Sequence, residues 1–93
     1  MKEIREQINK IDEDIIRLLA ERRKLSLEII KLKNLENKTI RDKEREMELL
    51  SHIVKISEKY GLDSNYISKI FREIIDDSVK LQNNFIFEKE KKE

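Results

Sequence analysis

Two basic residues interrupt the apolar face of the first third of the chain. Arg22 lies one heptad after Ile15 and one before Ile29, at a position where an aliphatic residue is expected. Lys33 follows eleven residues later, which on an α-helix returns to within about 20° of the same direction. A lone arginine at such a position can pair with a carboxylate or extend its guanidinium to water. Here two cations share one otherwise apolar face.

Polar groups interrupt two further apolar faces. Ser78 and Gln82 are four residues apart and lie on one face of an apolar stripe. Asp42, Arg45 and Glu46 cluster within about one helical turn at the start of another periodic segment. Taken singly, a Ser or Gln of this kind is common in helix packing, and acids at a helix start stabilise the helix. Taken together, two cations, a carboxylate, a hydroxyl and an amide predict a pocket for a small polyanion.

The composition excludes much other chemistry. The 93 residues include no cysteine, no proline, one glycine and one histidine. A thiol nucleophile, a cysteine zinc site and a glycine-rich phosphate loop are therefore excluded, and we expect no metal or cofactor. The net charge of +1, from 21 basic and 20 acidic residues, argues against binding to nucleic acid or to an anionic membrane.

The apolar spacing predicts an all-α fold of three helices that position these groups. Helix 1 is expected at about 3–35 and helix 2 at about 40–60, ending before Gly61. Helix 3 is expected at about 64–86, capped by Asp63 or Ser64, followed by a frayed charged tail over 86–93. We expect residues 1–93 to form a single helical domain. No stretch has the length of a signal peptide or membrane span, so we expect a cytoplasmic protein.

Helix 1 is too long for a compact monomer. At 1.5 Å per residue it extends about 50 Å, whereas a compact chain of this size has a radius of gyration of about 12 Å. Its overhanging apolar face requires a partner surface, and an intertwined antiparallel homodimer would supply it. Arg5 lies about 25 Å from Arg22 along the helix, so it could reach only the pocket of the partner chain.

These residues and their spacing resemble the all-α chorismate mutases, a dimeric three-helix family that converts chorismate to prephenate. The resemblance covers about residues 4–86 without a gap, and we expect no fused dehydratase or dehydrogenase domain. The matching segments are Ile4-Arg5-Glu6-Gln7-Ile8, Leu19-Ala20-Glu21-Arg22-Arg23, Lys31-Leu32-Lys33, Arg41-Asp42 with Arg45-Glu46, and Asp77-Ser78 with Gln82.

The resemblance implies two carboxylate sites and an ether-oxygen site. Arg22 would bind one substrate carboxylate, with Ser78 nearby. Lys33 and the partner's Arg5 would bind the other carboxylate. Lys33 and Gln82 would contact the ether oxygen and are the expected catalytic residues.

The resemblance also implies a third contact, to the ring hydroxyl of the substrate. Glu46, with the backbone around Asp42, would hold this hydroxyl, and Arg45 would be a supporting charge at the pocket wall. The expected fold and nearly the same set of cations also resemble isochorismate-pyruvate lyases, which are the alternative function, although the Glu46 contact favours the mutase. A non-enzymatic adaptor that recruits a partner helix through its heptads is the remaining alternative.

Overall fold

The computed structural model of the chain describes residues 1–33 and 43–92. Three α-helices follow one another: α1 (Lys2–Lys33), α2 (Lys43–Lys59) and α3 (Ser64–Lys92). Within the described ranges there is no β-strand, which confirms the all-α prediction. The predicted end of helix 1 beyond residue 33 and the predicted start of helix 2 at residues 40–42 lie outside the described residues.

Helix α3 is longer than the sequence pattern predicted. It continues to Lys92, whereas an end near residue 86 and a frayed tail were expected. After Phe87, the extension consists of glutamate and lysine, which have high helix propensity, and it contains neither glycine nor proline to stop the helix. The predicted end of helix 3 near residue 86 was therefore too early, because the end of the apolar stripe is not a helix-termination signal.

The turn between α2 and α3 follows the predicted local signals. Gly61 has a positive φ of 69°, the left-handed conformation that glycine adopts without strain. The N–H groups of Gly61 and Leu62 donate to the carbonyls of Glu58 and Ser57 at 3.1 and 2.9 Å, a Schellman termination of α2. The Asp63 carboxylate accepts the backbone N–H two residues later at 3.1 Å, which caps α3.

Helix α3 packs against both α1 and α2. Each helix contributes one isoleucine to the buried core: Ile30, Ile53 and Ile75. The molecule measures 56 × 28 × 17 Å. None of the helices described is long and apolar enough to cross a membrane.

The first two thirds of α1 extend away from this core. Up to Glu21, every residue of the helix except Asp14 is exposed. The radius of gyration is 16.5 Å, well above the value of about 12 Å for a compact chain of this length. The predicted seam is present but uncovered: seven of its aliphatic side chains are 49–59% exposed, namely Ile4, Ile8, Ile11, Ile15, Leu18, Leu25 and Ile29.

Candidate functional site

Four polar side chains meet where α1 packs against α3, and we call them the α1–α3 polar cluster: Arg22, Ser26, Ser78 and Gln82. Arg22 Nη1 donates to Ser78 Oγ at 2.7 Å, and Ser26 Oγ donates to the same oxygen at 3.3 Å. Gln82 Nε2 donates to the Ser26 carbonyl oxygen at 2.8 Å. Each helix supplies two residues four positions apart, and this spacing places both on one face.

The hydrogen bonds of Ser78 and Gln82 fix the orientation of both side chains. Ser78 donates its only proton to the Ile74 carbonyl at 3.1 Å while its oxygen accepts from Arg22 and Ser26, so its hydrogen-bonding capacity is filled. A carbonyl can only accept, so the nitrogen of the Gln82 amide must face Ser26. The second N–H of that amide then points elsewhere and can meet a ligand.

Arg22 places a positive charge in the partly desolvated contact between α1 and α3. The side chain is half-buried, and burial lowers the pKa of Arg22, while the Asp77 carboxylate acts in the opposite direction. A guanidinium nevertheless stays charged at neutral pH. Its hydrogen bond to Ser78 is to a neutral hydroxyl, which does not cancel the charge. The arrangement therefore favours an anion.

An ion pair beside the cluster links the same two helices. Arg23 Nε and Nη2 donate to the two Asp77 carboxylate oxygens at 3.0 and 3.4 Å. Both side chains are about half exposed, so the pair contributes only about 0–1 kcal/mol to stability. Its two-point geometry instead fixes how α1 and α3 are aligned at the cluster. It also holds the Asp77 carboxylate on Arg23.

A cleft of about 330 Å³ opens beside Arg22 and Ser78. Its walls combine aliphatic side chains with charged and hydroxyl groups: Leu19, Arg22, Arg23, Glu73, Ile74, Asp77 and Ser78. A volume of this size accommodates a small organic molecule. Across the described parts of the chain, no group of three or more His, Asp or Glu side chains is arranged to hold a metal ion.

The predicted α2 residues Glu46 and Arg45 do not line the Arg22 cleft. Glu46 is half-buried, with its Oε2 atom buried, and lines a cleft of about 110 Å³ with Leu50, Arg72, Ile75 and Asp76. Within the described residues this cleft and the Arg22 cleft share no lining residue. Arg45 is exposed, and its Nη1 lies 3.6 Å from Glu48 Oε2. Neither residue lines the Arg22 cleft within the described part of the chain.

Of three further predicted residues, only Arg5 lies wholly within the described part of the structure. Arg5 is exposed near the start of α1, about 25 Å along the helix from Arg22. Lys33 is the last residue of α1, and the position of its side chain lies outside the described part of the structure, as does Asp42 altogether. The structure thus brings together Arg22, Ser78 and Gln82 of the predicted set.

Sequence reasoning missed Ser26, which joins both halves of the cluster. Ser26 is only 7% exposed and lies four residues after Arg22 and seven before Lys33. The same signal that identified Arg22, a polar residue on the apolar face of helix 1, was therefore present. Arg23 and Asp77 lie in the matching segments, but their pairing cannot be inferred from spacing along one chain.

The chain is similar to proteins of one family. The family model for chorismate mutase type II matches residues 4–83. The bifunctional chorismate mutase/prephenate dehydratase of Escherichia coli strain K12 is 42% identical over 79 residues, 85% of this chain and 20% of that protein. The protein of the same name from Buchnera aphidicola of Schizaphis graminum is 43% identical over 82 residues, 88% of this chain and 21% of that protein.

A relative of similar length is also found. The chorismate mutase of Methanocaldococcus jannaschii is 34% identical over 92 residues, 99% of this chain and 93% of that protein. By contrast, the chain spans about a fifth of the length of the bifunctional relatives. The matched range includes all four residues of the α1–α3 polar cluster, and the chain belongs to the chorismate mutase type II family.

Proposed function

We propose that this chain catalyses the rearrangement of chorismate to prephenate, a step in the synthesis of aromatic amino acids. The observation that carries the proposal is the α1–α3 polar cluster, in which a half-buried Arg22 is hydrogen-bonded to a neutral hydroxyl beside the amide of Gln82. A forked guanidinium can engage both oxygens of a substrate carboxylate. Family membership supports the same conclusion.

The chemistry of the reaction fits the groups that the chain supplies. In a [3,3] rearrangement an ether C–O bond breaks while a C–C bond forms within the same molecule. The substrate therefore needs no external nucleophile and no proton transfer. The protein can accelerate the step by holding the reactive conformer and by stabilising the negative charge that develops on the ether oxygen. The second N–H of Gln82 suits this role, and we assign Lys33 as its companion donor.

The remaining residues complete the proposed site. Ser78 would assist Arg22 at the first carboxylate, and Glu46, with the backbone at Asp42, would hold the ring hydroxyl. Arg45 would add a supporting charge. We propose that residues 1–93 form one domain for this purpose and that the enzyme acts in the cytoplasm.

We further propose that the active form is an antiparallel homodimer that shares its sites. Seven half-exposed aliphatic side chains along α1 support this, since burying each would contribute about 1 kcal/mol. Arg5 is exposed and too far from Arg22 to serve the same pocket within one chain. The start of α1 from one chain would lie beside the middle of α1 from the other, so that the partner's Arg5 completes the second carboxylate site.

The proposal is tested by mixing the purified protein with chorismate and following the loss of its ultraviolet absorbance. We expect catalysed conversion to prephenate and, in a parallel reaction with isochorismate, no matching release of pyruvate. Arg22→Ala should reduce kcat/KM at least about 100-fold, because hydrogen bonds to charged groups contribute about 1.5–3 kcal/mol each.

Arg17→Ala is the matched control for this variant. Arg17 lies on the same helix and pairs at the surface with Asp14 and Glu21 at 3.7 and 3.1 Å. Its removal should leave the rate within about twofold of the unmodified protein, since exposed pairs of this kind contribute little. An unmodified, folded dimer that does not convert chorismate would refute the proposed function, and pyruvate release from isochorismate would favour the lyase.

A further inference from the structure

We propose that Ser26 is a positioning residue for the substrate site, acting on Ser78 through its hydroxyl and on Gln82 through its backbone carbonyl. This inference rests on the proposed function. It assigns a role to a residue outside the set predicted from the sequence, and it explains how two side chains on α3 are held in place by one residue on α1.

The hydrogen-bond directions give Ser26 this role. Ser26 Oγ donates to Ser78 Oγ at 3.3 Å, so it leaves the Ser78 proton available for another acceptor. In the structure that proton goes to the Ile74 carbonyl. A bound carboxylate is a stronger acceptor than a backbone carbonyl that is already engaged in a helix. On binding, Ser78 would therefore turn its proton to the carboxylate while still accepting from Ser26.

This chain of donors has an electrostatic consequence. A hydroxyl that accepts a hydrogen bond is polarised and becomes a better donor in its turn, especially in a partly dry site. Ser26 is 7% exposed, so water has little access to replace its hydroxyl. Removing that hydroxyl should weaken the contact between Ser78 and the carboxylate. Because this contact is present before and during the reaction, the effect should be on KM rather than on kcat.

The backbone contribution of Ser26 survives substitution and provides an internal control. The carbonyl that accepts from Gln82 at 2.8 Å is present whatever the side chain at position 26. Ser26→Ala should therefore leave the Gln82 amide, and with it kcat, nearly unchanged. A general distortion of the α1–α3 contact would instead move both Ser78 and Gln82, and it would therefore lower kcat as well.

The experiment measures kcat and KM for chorismate and the thermal melting temperature of Ser26→Ala. We expect KM to rise about 3- to 10-fold, the effect of one hydrogen bond, with kcat within about twofold. Ser57→Ala is the matched control: Ser57 is 2% exposed, and its hydroxyl donates within its own helix to the Val54 carbonyl at 2.7 Å. That variant should keep both kinetic constants.

A double-mutant cycle separates positioning from packing. If Ser26 acts through Ser78, then Ser26→Ala combined with Ser78→Ala should have the same KM as Ser78→Ala alone. If the effects of Ser26→Ala and Ser78→Ala on KM multiplied in the double variant, the proposal would be overturned. An unchanged KM in Ser26→Ala would also overturn it. If the alanine variant does not fold, Ser26→Cys keeps the side-chain size with a weak donor and should show the same rise in KM. If the unmodified protein does not convert chorismate, the proposed function itself is wrong. If the unmodified protein is active but Ser26→Ala does not change KM, only this inference is wrong.

Discussion

Replacing Gln82 by glutamate tests whether its amide is a transition-state donor or a packing group. The Gln82 Nε2 atom lies 2.8 Å from the Ser26 carbonyl oxygen, so the orientation of the amide is known and one N–H remains for the ether oxygen. Gln82→Glu keeps the size of the side chain. When the new carboxyl is ionised, it has no proton to donate, and it places negative charge where the reaction itself develops negative charge.

The size of the effect follows from these two losses. Removing one donor of this kind costs about 2.7–4 kcal/mol of transition-state stabilisation, a factor of about 10²–10³ in kcat. An ionised carboxylate in the same position should lose at least as much. The new carboxyl would face the Ser26 carbonyl oxygen, which favours its protonated form because two acceptors repel each other. The positive charge of Arg22 favours its ionised form instead. The protonated acid has a single O–H, and activity should recover in part as the pH falls if bound substrate draws this donor from the Ser26 carbonyl to the ether oxygen.

The assay is kcat/KM for chorismate against pH from about 4.5 to 8. The unmodified protein should vary little over this range, because an amide does not titrate and a guanidinium stays charged. Gln82→Glu should be weakly active at neutral pH and gain activity on acidification, with circular dichroism confirming that it remains helical. Asn83→Asp makes the same chemical change at an exposed neighbouring position and should follow the unmodified profile. A Gln82→Glu profile parallel to the unmodified one would show that Gln82 only packs.

Three further perturbations have defined outcomes. Arg22→Leu should abolish activity and change the melting temperature little, because the hydrogen bond to Ser78 that it removes is offset by relief of the desolvation that lowers the pKa of Arg22. A large fall in melting temperature would contradict this. Mixing inactive Arg5→Ala and Arg22→Ala chains should restore activity, since a heterodimer has one intact shared pocket; no recovery after subunit exchange is verified would argue against sharing. Gly61→Ala should lower the free energy of unfolding in urea by about 1–2 kcal/mol, because φ is 69°. It should leave kcat unchanged, because the added Cβ would meet no atom within 4 Å. An unchanged free energy of unfolding would refute the strain argument.

The helices and their local boundaries were largely predictable because the signals are local. Heptad spacing marks α1 over its whole described length. Gly61 and Asp63 mark the turn between α2 and α3 through backbone conformation and a side-chain cap. The end of α3 was not predictable in this way. The charged residues at its end have high helix propensity but form no apolar stripe. The apolar pattern therefore predicts an earlier end than the helix propensity does, and the helix follows the propensity.

The site was predictable only in part, because its geometry depends on how two helices are aligned. Arg22, Ser78 and Gln82 were found as polar interruptions, but which of them touch depends on contacts between residues 52–56 positions apart. Ser26 was overlooked because a serine at a helix contact is an ordinary packing residue. The carbonyl that orients Gln82 belongs to the backbone and leaves no mark in the sequence.

The location of the polar cluster links the proposed catalysis to the stability of the fold. Where α1 meets α3, two serines, an arginine and a glutamine occupy positions that aliphatic side chains could fill, and buried polar groups add little net stability even when hydrogen-bonded. The rest of α1 is exposed along its apolar seam, so one chain lacks an obvious means of offsetting that loss. A second copy covering the seam would supply apolar burial far from the reacting atoms, and the cluster could then remain polar. In the proposed dimer, the long exposed helix and the polar site would be linked, because the apolar burial gained on assembly would offset the stability that the polar groups do not supply.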